Sequence, residues 1–348
     1  IGVGEMDFAF SEDQRLIRQS ADTLVSRLAS MTRVRALFED GAPDYCPELW
    51  QGLAEAGFLG TLIPEDMGGA GLGMVEMGCV LEALGGALAS GPYLSSCVVG
   101  AEALRLAASE EQRRQWLPAV AKGELVLCPI LARDRGAPVA YGASVGLFLV
   151  QDHGGLVAVD PGLTGASITS FPALDPTRRF ALVDLAAEGV RLQNPCDDRV
   201  LDRLRAIGAT ATAAEMLGGA GRAHQMACDY AKERYQFGVP IGSFQAIKHL
   251  LADQAVALEG ARSAVYAALW ALDYDPDGAV IAASVAKVAM TEVALRIAVE
   301  NIQVHGGMGF TAEVDAHLYL KRAQMDQMVH GGVEEHGALL AERLEDLA

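Results

Sequence analysis

Basic side chains are scarce in this sequence: 27 Lys and Arg stand against 45 Asp and Glu, a formal net charge of −18 over 348 residues. A field of that sign repels a phosphate backbone, so nucleic acid is not an expected partner. Long apolar runs are missing as well. Gly, Glu or Arg interrupts every greasy stretch short of the roughly 20 residues that a spanning helix needs, so no membrane span is read. The start has no basic segment followed by a hydrophobic core, which argues against a secretory signal. Cysteine is sparse: Cys46, Cys79, Cys97, Cys128, Cys196 and Cys228 are scattered, with no C-x-x-C pair and no dense disulfide framework. A reducing cytoplasm is the expected compartment. Residues 1–5 (IGVGE) ahead of Met6 read as an expression remnant or an unstructured leader, with the folded chain beginning near Met6.

What the chain does have is apolar mass. At 51% hydrophobic residues it can fill two or three cores, since single cores seldom grow beyond about 250–300 residues. From Ser11 to about Ala121 apolar residues recur at helical spacing, and Ser11 with Gln14 fits a capping box. A glycine-rich connection, Ile63 to Gly73, interrupts these helices; it has neither the Lys-Ser/Thr of a P-loop nor a preceding strand, and reads as a structural turn. Between about Gly123 and Asn194 the texture changes to short β-prone runs, ELVLCPIL, VGLFLVQD, GLVAVDP and RFALVDL, separated by turn residues. From about Asp197 onward long Ala/Leu/Val helices return, with broad apolar faces suited to a four-helix bundle and to subunit packing. The expected fold is therefore α+β and multidomain: an N-terminal helical domain (7–122), a short middle β domain (123–196) and a C-terminal helical bundle (197–348).

Two segments carry chemistry. Arg234-Tyr235-Gln236-Phe237-Gly238-Val239-Pro240-Ile241-Gly242-Ser243-Phe244-Gln245 puts a tight Gly/Pro turn between two long helices. An Arg at a helix end beside exposed backbone N–H groups suits a pyrophosphate, although a plain helix-helix turn has the same look. About sixty residues later, Asn301-Ile302-Gln303-Val304-His305-Gly306-Gly307-Met308-Gly309-Phe310-Thr311 follows a long apolar helix, and its paired glycines let a ligand approach the backbone. Gln303 offers both donor and acceptor atoms. No His, Cys and carboxylate cluster has metal-ligand spacing, so no metal is expected.

The pairing of R-x-x-F-G-x-x-I-x-x-F-Q with Q-x-x-G-G-x-G-F, inside an α-β-α order, resembles the acyl-CoA dehydrogenase family. The Pro64-to-Gly73 loop and Leu174-Asp175-Pro176-Thr177-Arg178-Arg179 are similar to segments of that family's first and second domains. The resemblance implies FAD at a subunit interface of a dimer of dimers. It also implies that Arg234, Phe237, Gln245, Gln303, Gly306 and Gly307 touch the flavin nucleotide of a neighbouring subunit.

Departures from the family's pattern are equally informative. Its desaturating members carry a T-E-P-x-A-G-S-D stretch and a W-I-[TS] stretch that hold the subunit's own flavin ring; here the region reads CPILARDRGAPVAYGASVGLFLV and has neither. The reaction needs a carboxylate to take the α-proton while hydride leaves for the flavin. In one branch of the family that Glu precedes a Gly in the C-terminal loop, which corresponds here to Gly331; in the other it lies twenty-six residues before the Arg, which gives Gly208. Glu215 lies two helical turns past Gly208 and is the alternative base, against a structural role in an Arg pair. Glu334 and Glu335 are expected to open the last helix, and His305 and His330 to pack turns.

The resemblance thus points to the non-catalytic subunit of a heteromeric (α2β2) bacterial acyl-CoA dehydrogenase of the sterol side-chain type. Its partners would be a homologous catalytic subunit, an acyl-CoA substrate and an electron-transfer flavoprotein. A complete homotetramer using Glu215, a flavin monooxygenase on the same fold and a non-enzymatic scaffold are the alternatives.

Overall fold

A computed structural model describes residues 9–345 apart from 40, 186 and 187; the leader expected ahead of Met6 lies outside them. Helices, then strands, then helices follow one another as the sequence texture implies. The chain divides into two compact units, one of Ile1–Val80 with Ala89–Gly208 and the other of Leu81–Leu88 with Ala209–Ala348.

The first unit opens with α1 (Glu12–Leu28), α2 (Met31–Ala36), α3 (Pro47–Glu55) and the start of α4 (Met74–Gly86). Ser11 caps α1 reciprocally: its Oγ accepts from Gln14 N at 3.1 Å and its own N–H donates to Gln14 Oε1 at 3.0 Å. A π-helical stretch, Tyr93–Gly100, runs into α5 (Ala101–Ala107), and α6 (Glu110–Ala121) starts from a second capping box, Ser109 with Gln112. In the glycine-rich connection the backbone donors are used internally. Gly69 N–H bonds Pro64 O, Ala70 N–H bonds Gly60 O and Gly71 N–H bonds Ile63 O, at 2.8–3.1 Å. A Cβ on Gly69 would overlap Ile63, so glycine here serves close chain packing.

The strands are β1 (Leu127–Ile130), β2 (Val139–Ala140), β3 (Leu147–Asp152), β4 (Gly155–Val159), β5 (Ser167–Phe171), β6 (Phe180–Asp184) and β7 (Val190–Arg191), with a short helix α7 (Pro161–Thr164) after β4. They form a four-stranded sheet of order β1-β3-β4-β7, whose β1 and β3 run parallel, and a three-stranded sheet of order β2-β6-β5. Gln112 ties α6 to this region, donating to Arg191 O at 2.9 Å and accepting from Gln193 N at 3.1 Å. The Leu174–Arg179 segment is a structural tie. Asp175 is fully buried and accepts from Thr177 Oγ1 at 2.6 Å, while Arg179 Nη2 donates to the Leu37 and Glu39 carbonyls at 2.9 and 2.8 Å.

The second unit is built on three long helices, α8 (Asp198–Glu233, which enters it at Ala209), α9 (Gln245–Tyr274) and α10 (Ala279–His305), with α11 (Ala316–Asp326) and α12 (Val333–Glu345). Glu334 and Glu335 lie in the first turn of α12, where carboxylates favour the positive end of the helix dipole. The end of α4 joins this unit through a reciprocal crossing. Glu82-Ala83-Leu84-Gly85-Gly86-Ala87 and Glu215-Met216-Leu217-Gly218-Gly219-Ala220 both read E-x-L-G-G-A. A Cβ on Gly85 would overlap the Glu215 carbonyl, and one on Gly218 the Glu82 carbonyl. Two helices can touch backbone to backbone only where both lack side chains. Each Glu of the pair is ionically held: Glu82 by Arg262 at 2.5 Å, with Tyr266 donating to it at 2.8 Å, and Glu215 by Arg322 at 2.9 Å. Among the described residues no helix is long and apolar enough to cross a membrane.

Candidate flavin-contacting surface

At the C-terminal end of α8 the chain turns through a hairpin of β8 (Tyr235–Gln236) and β9 (Val239–Pro240) before α9 begins at Gln245. Arg234 closes it, its N–H donating to Tyr230 O and its carbonyl accepting from Ile241 N, both at 2.8 Å. The two turn residues, Phe237 and Gly238, have φ of +55° and +81°. Such two-residue turns favour Asn-Gly or Gly-Gly, and a bulky residue at positive φ costs about 1–3 kcal/mol. Phe237 is nevertheless there, 94% exposed, its ring edge-on to Phe244 at 6.2 Å. Such a strained, exposed aromatic is a candidate contact residue.

The second motif ends α10. Gly306 has φ +59° and ψ −139°, a conformation essentially confined to glycine, and a Cβ on Gly306 or Gly307 would meet nothing within 4 Å. Their backbone is open to close approach. Gly309 differs, because a Cβ there would press on the Ile302 carbonyl at 2.7 Å.

Folding brings the two motifs to one end of the unit. Buried Ala227, Ala231 and Val304 pack with Tyr230, Ile241, Ile247, Leu250 and Leu251, and the Tyr230 and His305 rings stack at 4.3 Å. His305 Nδ1 lies 2.8 Å from the Asn301 carbonyl, so that nitrogen carries a proton and the imidazole braces the end of α10. Around this buried cluster Arg234, Phe237, Gln245, Gln303, Gly306 and Gly307 are all exposed. Among the described residues Arg234 has no acidic partner, and Tyr235 and Phe310 add apolar surface at 60% and 79% exposure. A free guanidinium, two amide side chains, open glycine backbone and exposed aromatics fit the chemistry of a flavin dinucleotide. They fit it as one wall of a site rather than as an enclosing pocket.

No carboxylate occupies either position that the family resemblance makes a base. Gly208 is buried in α8. Gly331, between α11 and α12, has φ +100°, and a Cβ there would stand 2.7 Å from His336 Nε2. His336 locks this loop. Its Nε2 donates to the His330 carbonyl and its Nδ1 accepts from Ser284 Oγ, both at 3.0 Å. Lys287 braces the same loop from α10; buried, it donates through Nζ to Asp326 O at 2.7 Å and Gln327 O at 3.2 Å. Burial pushes its ammonium down to about 8, with Asp326 acting in the opposite sense.

Glu215 is buried and ion-paired with the equally buried Arg322. The space beside it, lined by Tyr319, Asp326 and alanines of α8 and α10, amounts to about 10 Å³. That is room for about one water. Arg322, His336 and Tyr230 were not singled out in the sequence. Each acts through a neighbour many residues away, which leaves no local signature.

The N-terminal domain of acyl-CoA dehydrogenases matches residues 11–124, and the C-terminal domain matches residues 202–345. Acyl-CoA dehydrogenase IpdE2 of Mycobacterium tuberculosis is 34% identical over 313 residues, 90% of this chain and 91% of that one. Among solved structures, the ChsE4-ChsE5 complex from Mycobacterium tuberculosis is similar at TM-score 0.87 and 27% identity, covering 98% of this chain and 99% of that one. The Tcur3481-Tcur3483 steroid acyl-CoA dehydrogenase variant superposes at TM-score 0.86 and 28% identity, covering 96% and 98%. This chain belongs to the acyl-CoA dehydrogenase family. It is a family of flavin-dependent oxidoreductases, and FAD is the cofactor that the fold implies.

Proposed function

We propose that this chain is the non-catalytic subunit of a heteromeric acyl-CoA dehydrogenase, completing the FAD site of a homologous catalytic subunit. The carrying observation is the asymmetry of its surfaces. All six flavin-motif residues stand exposed at one end of a helical unit, whereas both base positions are glycine and Glu215 is consumed by Arg322. The two-component neighbours, one of them a steroid enzyme by name, support the same reading and favour CoA thioesters of bulky, sterol-derived acyl groups as substrate.

FAD bound at this surface would supply the hydride acceptor for α,β-desaturation of the acyl-CoA. Arg234 would hold pyrophosphate oxygens with forked donors, and Gln245 and Gln303 would direct amide hydrogen bonds to it. Gly306 and Gly307 would admit the nucleotide against the backbone, and Phe237 would offer it apolar contact. The α-proton goes to a carboxylate of the catalytic subunit, which is why none is needed here. An electron-transfer flavoprotein is the proposed acceptor of the electrons, and the six free cysteines favour a reducing cytoplasm.

Bound flavin per chain tests this. The chain expressed alone should hold no stoichiometric FAD, and co-expression with the catalytic partner should give about one flavin per two chains. One flavin per chain from this protein alone, with acyl-CoA-dependent dye reduction, would overturn the proposal in favour of a complete homotetramer.

A further inference from the structure

All six cysteines are free; Cys46, Cys79, Cys97 and Cys128 are buried, and Cys196 and Cys228 are partly exposed. Of the last two, Cys228 faces a base. Its Sγ lies 3.5 Å from Nε2 of His224, one turn earlier on α8. His224 Nδ1 lies 2.8 Å from Gln254 Oε1 on α9, and Gln254 Nε2 donates to Glu300 Oε2 on α10 at 2.8 Å.

This relay dictates where the protons sit. A carboxylate only accepts, so the amide nitrogen of Gln254 faces Glu300 and its oxygen faces His224. An amide oxygen likewise only accepts, so His224 carries its proton on Nδ1 and its lone pair on Nε2. The lone pair points at the Cys228 sulfur, whose S–H is the donor. Gln254 is fully buried, which holds the imidazole in this orientation. Nucleophile, base and orienting group thus stand in the order that base-assisted attack requires.

We infer that Cys228, with His224 as its general base, is a modification site for small uncharged carbon electrophiles. In the step, sulfur attacks the electrophilic carbon and an S–C bond forms. The leaving group departs with its electron pair, and the thiol proton passes to His224 Nε2, giving an imidazolium still bonded through Nδ1–H to Gln254. The charged groups around it are Asp229 and Lys232 on α8 and, behind Gln254, Glu300 with Arg296 at 3.6 Å. Burial pushes the thiol up, Lys232 opposes that and Asp229 adds to it, so the resting group is S–H and attack depends on the base. Partial burial, the carboxylates of Asp229 and Glu300 and a net charge of −18 select against anionic reagents.

Cys196 is an internal reference of similar exposure; it adjoins Asp197, which like burial raises its thiol. The test treats the intact protein, purified with its partner subunit, with iodoacetamide or iodoacetate across a pH series, and follows both cysteines by peptide mass spectrometry. At neutral pH Cys228 should react with iodoacetamide roughly a hundredfold faster than Cys196, the scale of general-base assistance. Its pH–rate curve should bend well below the thiol's own titration, and the amide-to-acid rate ratio should exceed that of Cys196. His224→Gln should bring Cys228 to the Cys196 rate while leaving Cys196 unchanged, the latter also reporting that the first unit is folded. Gln254→Leu should slow Cys228 with Cys196 again unmoved. Equal rates at the two cysteines, or a Cys228 curve unmoved by His224→Gln, would overturn the inference.

Discussion

Replacing Glu215 decides whether this carboxylate is a base or a brace. Its partner Arg322 is 3% exposed and Glu215 itself 6%, so removing one leaves the other charged in the interior. Breaking a buried pair in this way costs about 3–5 kcal/mol, most of it the desolvation of the orphaned ion. Glu215→Gln keeps the shape and one acceptor but not the charge, so its cost should sit near the lower figure; Arg322→Met should cost a similar amount. The double variant should be far less destabilised than the sum of the two, because replacing both ions by apolar or neutral groups is often nearly neutral. Urea unfolding of the purified complex gives each value, and the double-mutant cycle isolates a coupling well above the ~0.5 kcal/mol expected of independent sites. If Glu215→Gln leaves the urea midpoint where it was and instead abolishes acyl-CoA-dependent flavin reduction, the brace reading is wrong and Glu215 is the base.

Gly218→Ala should destabilise by about 3 kcal/mol or more, because the new Cβ meets the rigid Glu82 carbonyl; soluble yield and urea midpoint measure it. Phe237→Gly should raise stability by roughly 1 kcal/mol through relief of the positive φ, yet weaken FAD retention in the complex, readable by unfolding and by flavin absorbance of the same sample. The Lys287 ammonium titrates at about 8 when folded, against an ordinary lysine value of about 10.4. Between those two pH values the unfolded chain binds the extra proton, so stability attributable to Lys287 rises with pH across that window and is flat outside it. The difference in urea midpoint between the parent and Lys287→Met should show this rise. Gly331→Glu should fail to confer activity and should lower stability, since the residue would need φ +100° and would press on His336.

The order of α, β and α segments was legible because hydrophobic spacing changes period from 3.6 to 2 and back. Strands β3, β4 and β6 coincide with the apolar runs VGLFLVQD, GLVAVDP and RFALVDL. Strand β5, Ser167–Phe171, has no such apolar run: it is an edge strand with much of its surface in water and carries Ser and Thr where the other strands carry Val and Leu. The π-helical turn Tyr93–Gly100 is invisible for a different reason, since one wider turn hardly alters apolar spacing. Its Ser96 hydroxyl accepts from Leu127 N at 2.9 Å across 31 residues, a contact that only the folded chain reveals. The two motifs that resemble the family's were readable as turns, because turns have local grammar. The Glu215–Arg322 pair spans 107 residues and has none.

An exposed motif and a glycine at a base position implied by resemblance are different kinds of physical commitment. The exposed residues Arg234, Gln245 and Gln303 could be exchanged with little effect on the fold, since surface changes away from special features usually stay within about 0.5 kcal/mol. Stability alone therefore does not explain why they stand beside a strained, solvent-exposed Phe237; the proposed contact with a neighbour's flavin would. Gly331 is the reverse case. Its backbone lies at a positive φ that side chains disfavour, the His336 ring fills the space a Cβ would take, and Ser284 and the His330 carbonyl fix that ring. Restoring an acid there would require a changed loop conformation as well as a changed residue, so a carboxylate at this position is disfavoured by several side chains at once. On the proposed function, the exposed motif surface would serve a neighbour that supplies the catalytic carboxylate.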